Sequence, residues 1–204
     1  MEDIIRYTPV SSLIFVFTIL TSLYGFYGDS NAFRGMMLHP YSIHRKKKYY
    51  TILTSGFIHA DFNHLIFNML SYFFFAFSLE KIVGHWQFAL IYISGIVLSD
   101  ISSILKNKNN SSYYSLGASG AISSVLFSYI LFDPHSKIYL FFIPIGIPAF
   151  IFALLYLAYC MYASKNQSDH INHEAHFWGA VNGWVITTIL FPHVFGYFIK
   201  SILG

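Results

Sequence analysis

Charged residues are scarce in this sequence. Asp, Glu, Lys and Arg make up 10% of its 204 residues, whereas an ordinary soluble domain contains about 25%. Hydrophobic residues account for 55%, and the mean hydropathy is +0.54. A soluble domain of this size needs a charged exterior that so few residues cannot supply. The composition therefore predicts a membrane protein.

The sequence also contains very little cysteine and carries only a small net charge. Cys160 is the single cysteine, which excludes an intrachain disulfide and a metal cluster built on several cysteines. The formal net charge is +3 with scattered carriers, so we expect no nucleic-acid partner. Glu2 and Asp3 stand where a secretory leader has basic residues, so we expect the first apolar stretch to stay as a membrane helix.

Apolar stretches recur along the whole chain. Backbone groups in lipid must be hydrogen-bonded within the spanning segment, which needs about 20 residues as a helix. Six stretches are candidates, at about 9–27, 61–79, 86–105, 116–132, 148–162 and 175–191. The sequence thus predicts an all-α membrane protein with six transmembrane helices in a single domain over residues 1–204. We expect the apolar tail from Pro192 to lie along an interface.

A serine between two glycines opens the fourth stretch, in the run Gly117-Ala118-Ser119-Gly120. A serine in a membrane helix usually bonds to its own backbone, so Ser119 alone would be interpreted as structural. Gly117 and Gly120 change this interpretation, because they let another helix or a substrate carbonyl approach the hydroxyl. A helix N-terminus also favours an oxyanion. Ser119 is therefore a candidate nucleophile.

A serine nucleophile needs a base, and His176 near the start of the sixth stretch is the candidate. Gly179 and Gly183 follow it at i+3 and i+7, on the same helical face. Such a face would let the sixth helix pack closely on the fourth and bring the imidazole to Ser119. The spacing leaves open that the two glycines serve helix packing alone.

A third polar segment lies at the second stretch and contains His59, His64 and Asn68. A charged side chain inside a spanning helix costs about 2.5–3.5 kcal/mol on insertion scales, so polar residues there usually have a role. His64 and Asn68 are four residues apart and share a face, and both are donors suited to an oxyanion. A polar seam that bonds neighbouring helices would give the same pattern.

Together these segments resemble the rhomboid family of intramembrane serine proteases. The resemblance covers about residues 50–190 and rests on the order and spacing of several elements. The matching residues are His59, His64, Asn68, the turn 80–84, Gly117, Ser119, Gly120, His176, Gly179 and Gly183. A single G-x-S-G tetrapeptide would be weak evidence, but three elements at the right helices are specific.

The resemblance implies a fold, a reaction and partners. It implies a six-helix rhomboid bundle and a serine-type endopeptidase that uses a Ser119–His176 dyad and no metal or other cofactor. The roles it implies are oxyanion or substrate binding for His64, Asn68 and Gly117, and structural support for His59, Gly120, Gly179 and Gly183. Substrates would be single-pass membrane proteins, cut in their transmembrane segments after entry from the lipid bilayer past helices two and five.

Two positions depart from the family pattern. Family members often carry Trp-Arg in the first outer loop, where this chain has Tyr50 and Thr51. Many members also carry an aromatic residue four after the serine, stacked on the catalytic histidine. Here that residue is Ser123. Another aromatic side chain is therefore expected to orient His176.

The orientation in the membrane is predicted in opposite ways by two arguments. Lysine and arginine are more numerous in the loops after helices one, three and five, so the positive-inside rule puts both termini outside. The resemblance, which is to the bacterial six-helix type, implies cytoplasmic termini in a bacterial inner membrane. We follow the resemblance, because the basic run 45–48 lies in a long loop that can fold as its own element.

Three other functions are weighed against the serine protease. His173 and His176 are three residues apart, whereas a helical zinc protease motif needs histidines four apart. A catalytically inactive rhomboid-like protein that binds membrane clients would typically lack the serine or the histidine, and both are present. A transporter is disfavoured because no pair of helices shows a matched Gly/Pro break in the two halves of the chain.

Overall fold

The computed structural model describes residues 6–139, 144–166 and 171–204, and helices dominate these ranges. The helices are α1 Pro9–Tyr27, α2 Ser30–Met36, α3 Pro40–His44, α4 Thr51–Thr54, α5 Phe62–Val83, α6 His85–Ser99, α7 Ile101–Asn107, α8 Ser119–Phe132, α9 Ala149–Asn166, α10 His173–Leu190 and α11 Pro192–Leu203. A 3₁₀ turn, Ser55–Phe57, follows α4. The short strands β1 Lys137–Tyr139 and β2 Gly146–Pro148 pair antiparallel before α9.

The fourth long helix, α8, lies at the centre of the fold. It packs against α5, α6, α10 and α11, and every residue from Gly120 to Ser128 is buried. Close packing follows from small residues at the contacts. A Cβ added to Gly179 would overlap the Gly120 carbonyl oxygen, and one added to Gly183 would lie 2.9 Å from the Ser124 Cα. The backbones of α8 and α10 therefore touch.

Hydroxyl and amide groups bond the same helices to one another. Asn182 Nδ2 donates to Ser124 Oγ at 2.9 Å and to Ser94 Oγ at 3.1 Å. Ser128 Oγ donates to the Gly183 carbonyl at 3.1 Å, and Thr187 Oγ1 donates to Ser128 Oγ at 2.6 Å. Such interhelical bonds contribute about 0.6–2 kcal/mol each inside a membrane. They fix α6, α8 and α10 in register.

A buried carboxylate ties α5 to the start of α1. Glu80 accepts from the Val10 backbone N–H at 3.0 Å and from the Ser11 N–H at 2.7 Å. It also accepts from the Ser11 hydroxyl at 2.6 Å. An anion is favoured there because the first N–H groups of a helix lack backbone partners. The turn after Glu80 uses Gly84 at φ +90°, a conformation that glycine adopts readily.

The long loop after α1 folds onto the segment that precedes α8. Leu38 and Ser115 form an antiparallel bridge, with N–H to O distances of 2.9 and 3.2 Å. His39 stacks on Tyr114 at 4.4 Å between ring centroids. The loop thus forms its own element, as expected for the basic run 45–48, and it holds the segment 115–117 in place.

Five of the six predicted helices differ in their boundaries from the helices found. The predicted helix 86–105 is interrupted at Asp100, which separates α6 from α7. The predicted helix 116–132 begins at Ser119, because Gly117 has φ +124° and Ser115 pairs with Leu38. The second and fifth helices, predicted to end at 79 and 162, continue to Val83 and Asn166.

The sixth helix also starts earlier than predicted. It begins at His173 rather than Ala175, because the Asn172 side chain accepts from the Ala175 N–H at 3.1 Å and caps the helix. The tail from Pro192 forms α11, which bends by 114° from α10.

Three helical spans of the described chain are long and apolar enough to cross a membrane: Pro9–Tyr27, Phe62–Val83 and His85–Asn107. The bent pair α10 and α11 can be counted as a fourth span. α8 is apolar but has 14 residues. These helices make the chain a multi-pass membrane protein, while the predicted count of six spans is not reached by this criterion within the described ranges.

Candidate active site

The candidate nucleophile Ser119 is the first residue of α8 and is partly buried. The turn before it depends on Gly117, whose N–H donates to the Ser55 carbonyl at 2.9 Å. A Cβ on Gly117 would lie 2.9 Å from His64 Nε2 and 3.9 Å from Ser119 Oγ. Glycine is therefore needed both for its positive φ and for the space between these two side chains.

The candidate base His176 is in the first turn of α10, and the contact with α8 sets its position. Gly179 packs on the Gly120 backbone, and the Ala175 carbonyl oxygen also lies beside Gly120. His176 lies between Ala175 and Gly179 in sequence, just as Ser119 directly precedes Gly120. The contact therefore brings the helix starts that carry Ser119 and His176 together.

The candidate oxyanion donor His64 lies in the first turn of α5. Its backbone N–H is capped by the Asp61 carboxylate at 2.8 Å. The Ala60 N–H donates to His64 Nδ1 at 3.5 Å. Since Nδ1 accepts in this contact, the hydrogen of the neutral ring is assigned to Nε2. Nε2 then faces the space above Gly117 as a donor.

The candidate donor Asn68 is one turn further along α5 and is buried. Its Nδ2 donates to the His64 carbonyl at 2.9 Å. An amide nitrogen carries two hydrogens. One of them is engaged within the helix, and the other can be donated to a substrate.

The predicted support residue His59 is fully buried and connects three segments. Its Nδ1 lies 3.0 Å from Ser22 Oγ in α1, and its Nε2 accepts from the Ala118 N–H at 3.5 Å. Burial, with a further contribution from His64, lowers the pKa of His59 to about 3. A neutral His59 therefore joins α1 to the segment that precedes Ser119.

One cavity of about 1450 Å³ contains the polar side chains that the sequence singled out. Ser119, His176, His64 and Asn68 all line it. Its walls also include residues of α5 and α9, so it extends between these two helices. The arrangement combines a hydroxyl, an imidazole and two donors in one concave space, which is the set needed for acyl transfer.

Tyr156 is a residue of this site that sequence reasoning missed. Its ring lies parallel to that of His176, with 6.4 Å between centroids and an interplanar angle of 16°. Its hydroxyl is 2.7 Å from Ser123 Oγ. Ser123 thus holds an aromatic ring that comes from α9 instead of supplying one itself. A small residue at 123 and a tyrosine in the apolar α9 were the available signals.

Asp100 is a second residue near this site that sequence reasoning missed. It interrupts the third predicted helix and lines a second cavity of about 20 Å³, which Ser119 also lines. Ser55, Ser99 and Asn172 line the same cavity. A polar cavity of this size can hold one water molecule. The signal available in the sequence was a carboxylate inside an otherwise apolar stretch.

Comparison with known proteins identifies the family of this chain. The family model described as the rhomboid domain matches residues 46–193, which is most of the chain. The chain belongs to the rhomboid family.

The similar proteins come from a bacterium and from mitochondria. The rhomboid YdcA of Bacillus subtilis strain 168, named as a proposed rhomboid protease, is 31% identical over 149 residues, which cover 69% of this chain and 66% of YdcA. Rhomboid protein 1, mitochondrial, of Saccharomyces cerevisiae is 32% identical over 65% of this chain and 39% of its own length. RHOMBOID-like protein 12, mitochondrial, of Arabidopsis thaliana is 25% identical over 64% and 43%.

The chain thus spans between about two fifths and two thirds of these rhomboids. Because these relatives include both bacterial and mitochondrial proteins, they do not decide whether the chain lies in a bacterial inner membrane, as the sequence predicted.

Proposed function

We propose that this rhomboid is an intramembrane serine endopeptidase that cleaves transmembrane segments of single-pass membrane proteins through a Ser119–His176 dyad. The observation that carries the proposal is the shared cavity, because Ser119, His176, His64 and Asn68 all line it. They come from three separate segments of the chain, so a purely structural role for each segment would not require a common cavity.

The proposed reaction follows the chemistry of acyl transfer. Ser119 Oγ attacks the scissile carbonyl while His176 accepts the hydroxyl proton. The Ser119 N–H, His64 Nε2 and Asn68 Nδ2 donate to the oxyanion of the tetrahedral intermediate. His176 then gives its proton to the departing amine, and water hydrolyses the acyl-enzyme with His176 again as the base. No metal or cofactor is needed in these steps.

The residues that line the cavity support the proposed class of substrate. Its walls include Phe67 and Phe74 of α5 and Phe152 of α9. Phe67 and Phe74 are half exposed, so an apolar segment from the bilayer finds apolar contacts on the way to Ser119. We further propose that both termini are cytoplasmic, with the mouth of the cavity on the opposite side, in a bacterial inner membrane.

The experiment is labelling of the purified protein with a fluorophosphonate, which reacts with activated serines. We expect the wild-type protein to be labelled and Ser119→Ala to remain unlabelled. His176→Ala should lose most of the labelling, because the serine then lacks its base. An unlabelled wild-type protein with intact fold would instead favour an inactive client-binding rhomboid-like protein.

A further inference from the structure

A cysteine and two histidines meet at the contact between α9 and α10, in an arrangement that the proposed reaction does not use. The Cys160 Sγ and one ring nitrogen each of His173 and His176 all lie within 4.8 Å of one another. The two histidines share a face of α10 because they are three residues apart. Cys160 approaches them from α9 and is almost fully buried, with a relative exposure of 1%.

We propose that Cys160, His173 and His176 form an inhibitory site for a thiophilic divalent cation such as Zn²⁺. The bound ion would occupy the base of the Ser119–His176 dyad and stop the reaction reversibly. The effect on activity rests on the proposed function, whereas the binding of the metal does not.

The three ligand atoms determine which class of metal ion the site would bind. One thiolate and two imidazoles suit Zn²⁺ and similar cations, while Mg²⁺ and Ca²⁺ prefer oxygen ligands. Bonds of about 2.0–2.3 Å in a tetrahedral site separate ligand atoms by roughly 3.3–3.7 Å. The three side chains therefore need to close by at most about 1.5 Å. Because His173 and His176 line the large cavity, an ion can enter there and take water as the fourth ligand.

Inhibition follows from the lone pair of the imidazole. A neutral histidine has one nitrogen that can accept a proton, and coordination uses that same nitrogen. The other nitrogen carries a hydrogen and can only donate. A metal-bound His176 therefore cannot take the proton of Ser119. The thiol of Cys160 loses its proton to solvent on binding, and no atom changes oxidation state.

The test measures metal binding first, with Co²⁺ as the probe on the full chain stripped with a chelator. We expect a thiolate-to-cobalt charge-transfer absorption for the wild-type protein and for Ser119→Ala. Cys160→Ala should lose that absorption, and His173→Gln should weaken Co²⁺ binding by at least about tenfold. The control is His193→Ala, since His193 is exposed on α11 and should leave binding unchanged.

The second measurement is fluorophosphonate labelling of Ser119 with increasing Zn²⁺. We expect Zn²⁺ to suppress labelling of the wild-type protein and a chelator to restore it. Cys160→Ala and His173→Gln should keep basal labelling and need at least about tenfold more Zn²⁺. Equal Zn²⁺ sensitivity of the wild-type protein and both variants, or the absence of the cobalt absorption, would overturn the site. Cobalt absorption without any labelling would retain the metal site and reject the protease.

Discussion

The position of the His176 ring is the residue-scale feature on which the proposed reaction depends most. The Tyr156 ring lies parallel to it, and the Tyr156 hydroxyl is bonded to Ser123. Family members often place an aromatic residue at the position of Ser123 itself. In this chain the same contact is built from two helices, a small hydroxyl residue on α8 and a tyrosine on α9. The geometry of His176 therefore depends on how α9 is packed.

Tyr156→Leu tests this contact. We expect it to lower kcat by roughly 10–10²-fold, because an imidazole without its stacking partner is misplaced by a fraction of an ångström or more. KM should change little, because a ring that acts only through His176 leaves substrate binding intact. Tyr156→Phe is the matched control, because it retains the ring and removes only the hydroxyl with its bonds to Ser123 and Cys160. An effect confined to KM would mean that Tyr156 binds substrate and does not position His176.

His64→Ala and Asn68→Ala test the oxyanion donors. Each should lower kcat by up to about 10²–10³-fold, because a donor is removed where negative charge develops. Circular dichroism and unfolding of the variants should show an intact fold, and His193→Ala serves as a control on an exposed histidine. Full activity of both variants would assign these residues to a polar seam between helices.

At the scale of elements, the contact between α8 and α10 determines where the dyad lies. The glycine pattern after His176 predicted close packing of the sixth helix on the fourth, and the structure has Gly179 against Gly120 and Gly183 against Ser124. Sequence periodicity can predict such a face, because glycines at i+3 and i+7 lie on one side of a helix. It cannot predict which residues of the partner helix they meet.

Gly179→Ala tests this packing. The added Cβ would overlap the Gly120 carbonyl oxygen, so we expect the free energy of unfolding to fall by about 1–3 kcal/mol. Denaturant unfolding of the protein in detergent measures the change. Gly196→Ala on α11 is the matched control, because nothing lies within 4 Å of its added Cβ. It should be neutral or stabilising by up to about 1 kcal/mol. Equal stability of the two variants would contradict the account of the interface.

Element boundaries were predicted less well where a long-range contact sets them. The first helix was predicted at 9–27 and is found at Pro9–Tyr27, because its apolar run and Pro9 are local signals. The start of α8 was placed too early, since it depends on the pairing of Ser115 with Leu38 and on Gly117. A pairing between segments 77 residues apart leaves no local pattern in the sequence.

At the scale of the whole molecule, the fold changes how the basic residues are interpreted. The lysine and arginine count alone would put the termini outside. Two of the cations counted are engaged in the folded loop, where Arg34 lies over Tyr114 at 4.8 Å and Arg45 over Tyr41 at 3.4 Å. Cation–π contacts of this kind stabilise the loop by about 0.5–1 kcal/mol each. Arg34 and Arg45 therefore have a structural role in the loop.

The family and the mostly helical membrane character were within reach of the sequence, because composition and motif order carry them. The short strands β1 and β2 were not predicted. The sequence could not predict which ring stacks on His176, because Tyr156 and His176 meet only when α9 and α10 are packed. The same holds for Cys160, whose proximity to His173 and His176 depends on that packing.

The most direct test of the central claim is cleavage of a single-pass transmembrane substrate by the purified rhomboid in proteoliposomes, with wild-type, Ser119→Ala and His176→Ala proteins compared. We expect cleavage by the wild-type protein and none above background by either variant, with all three equally folded. Undiminished cleavage by Ser119→Ala would contradict this claim.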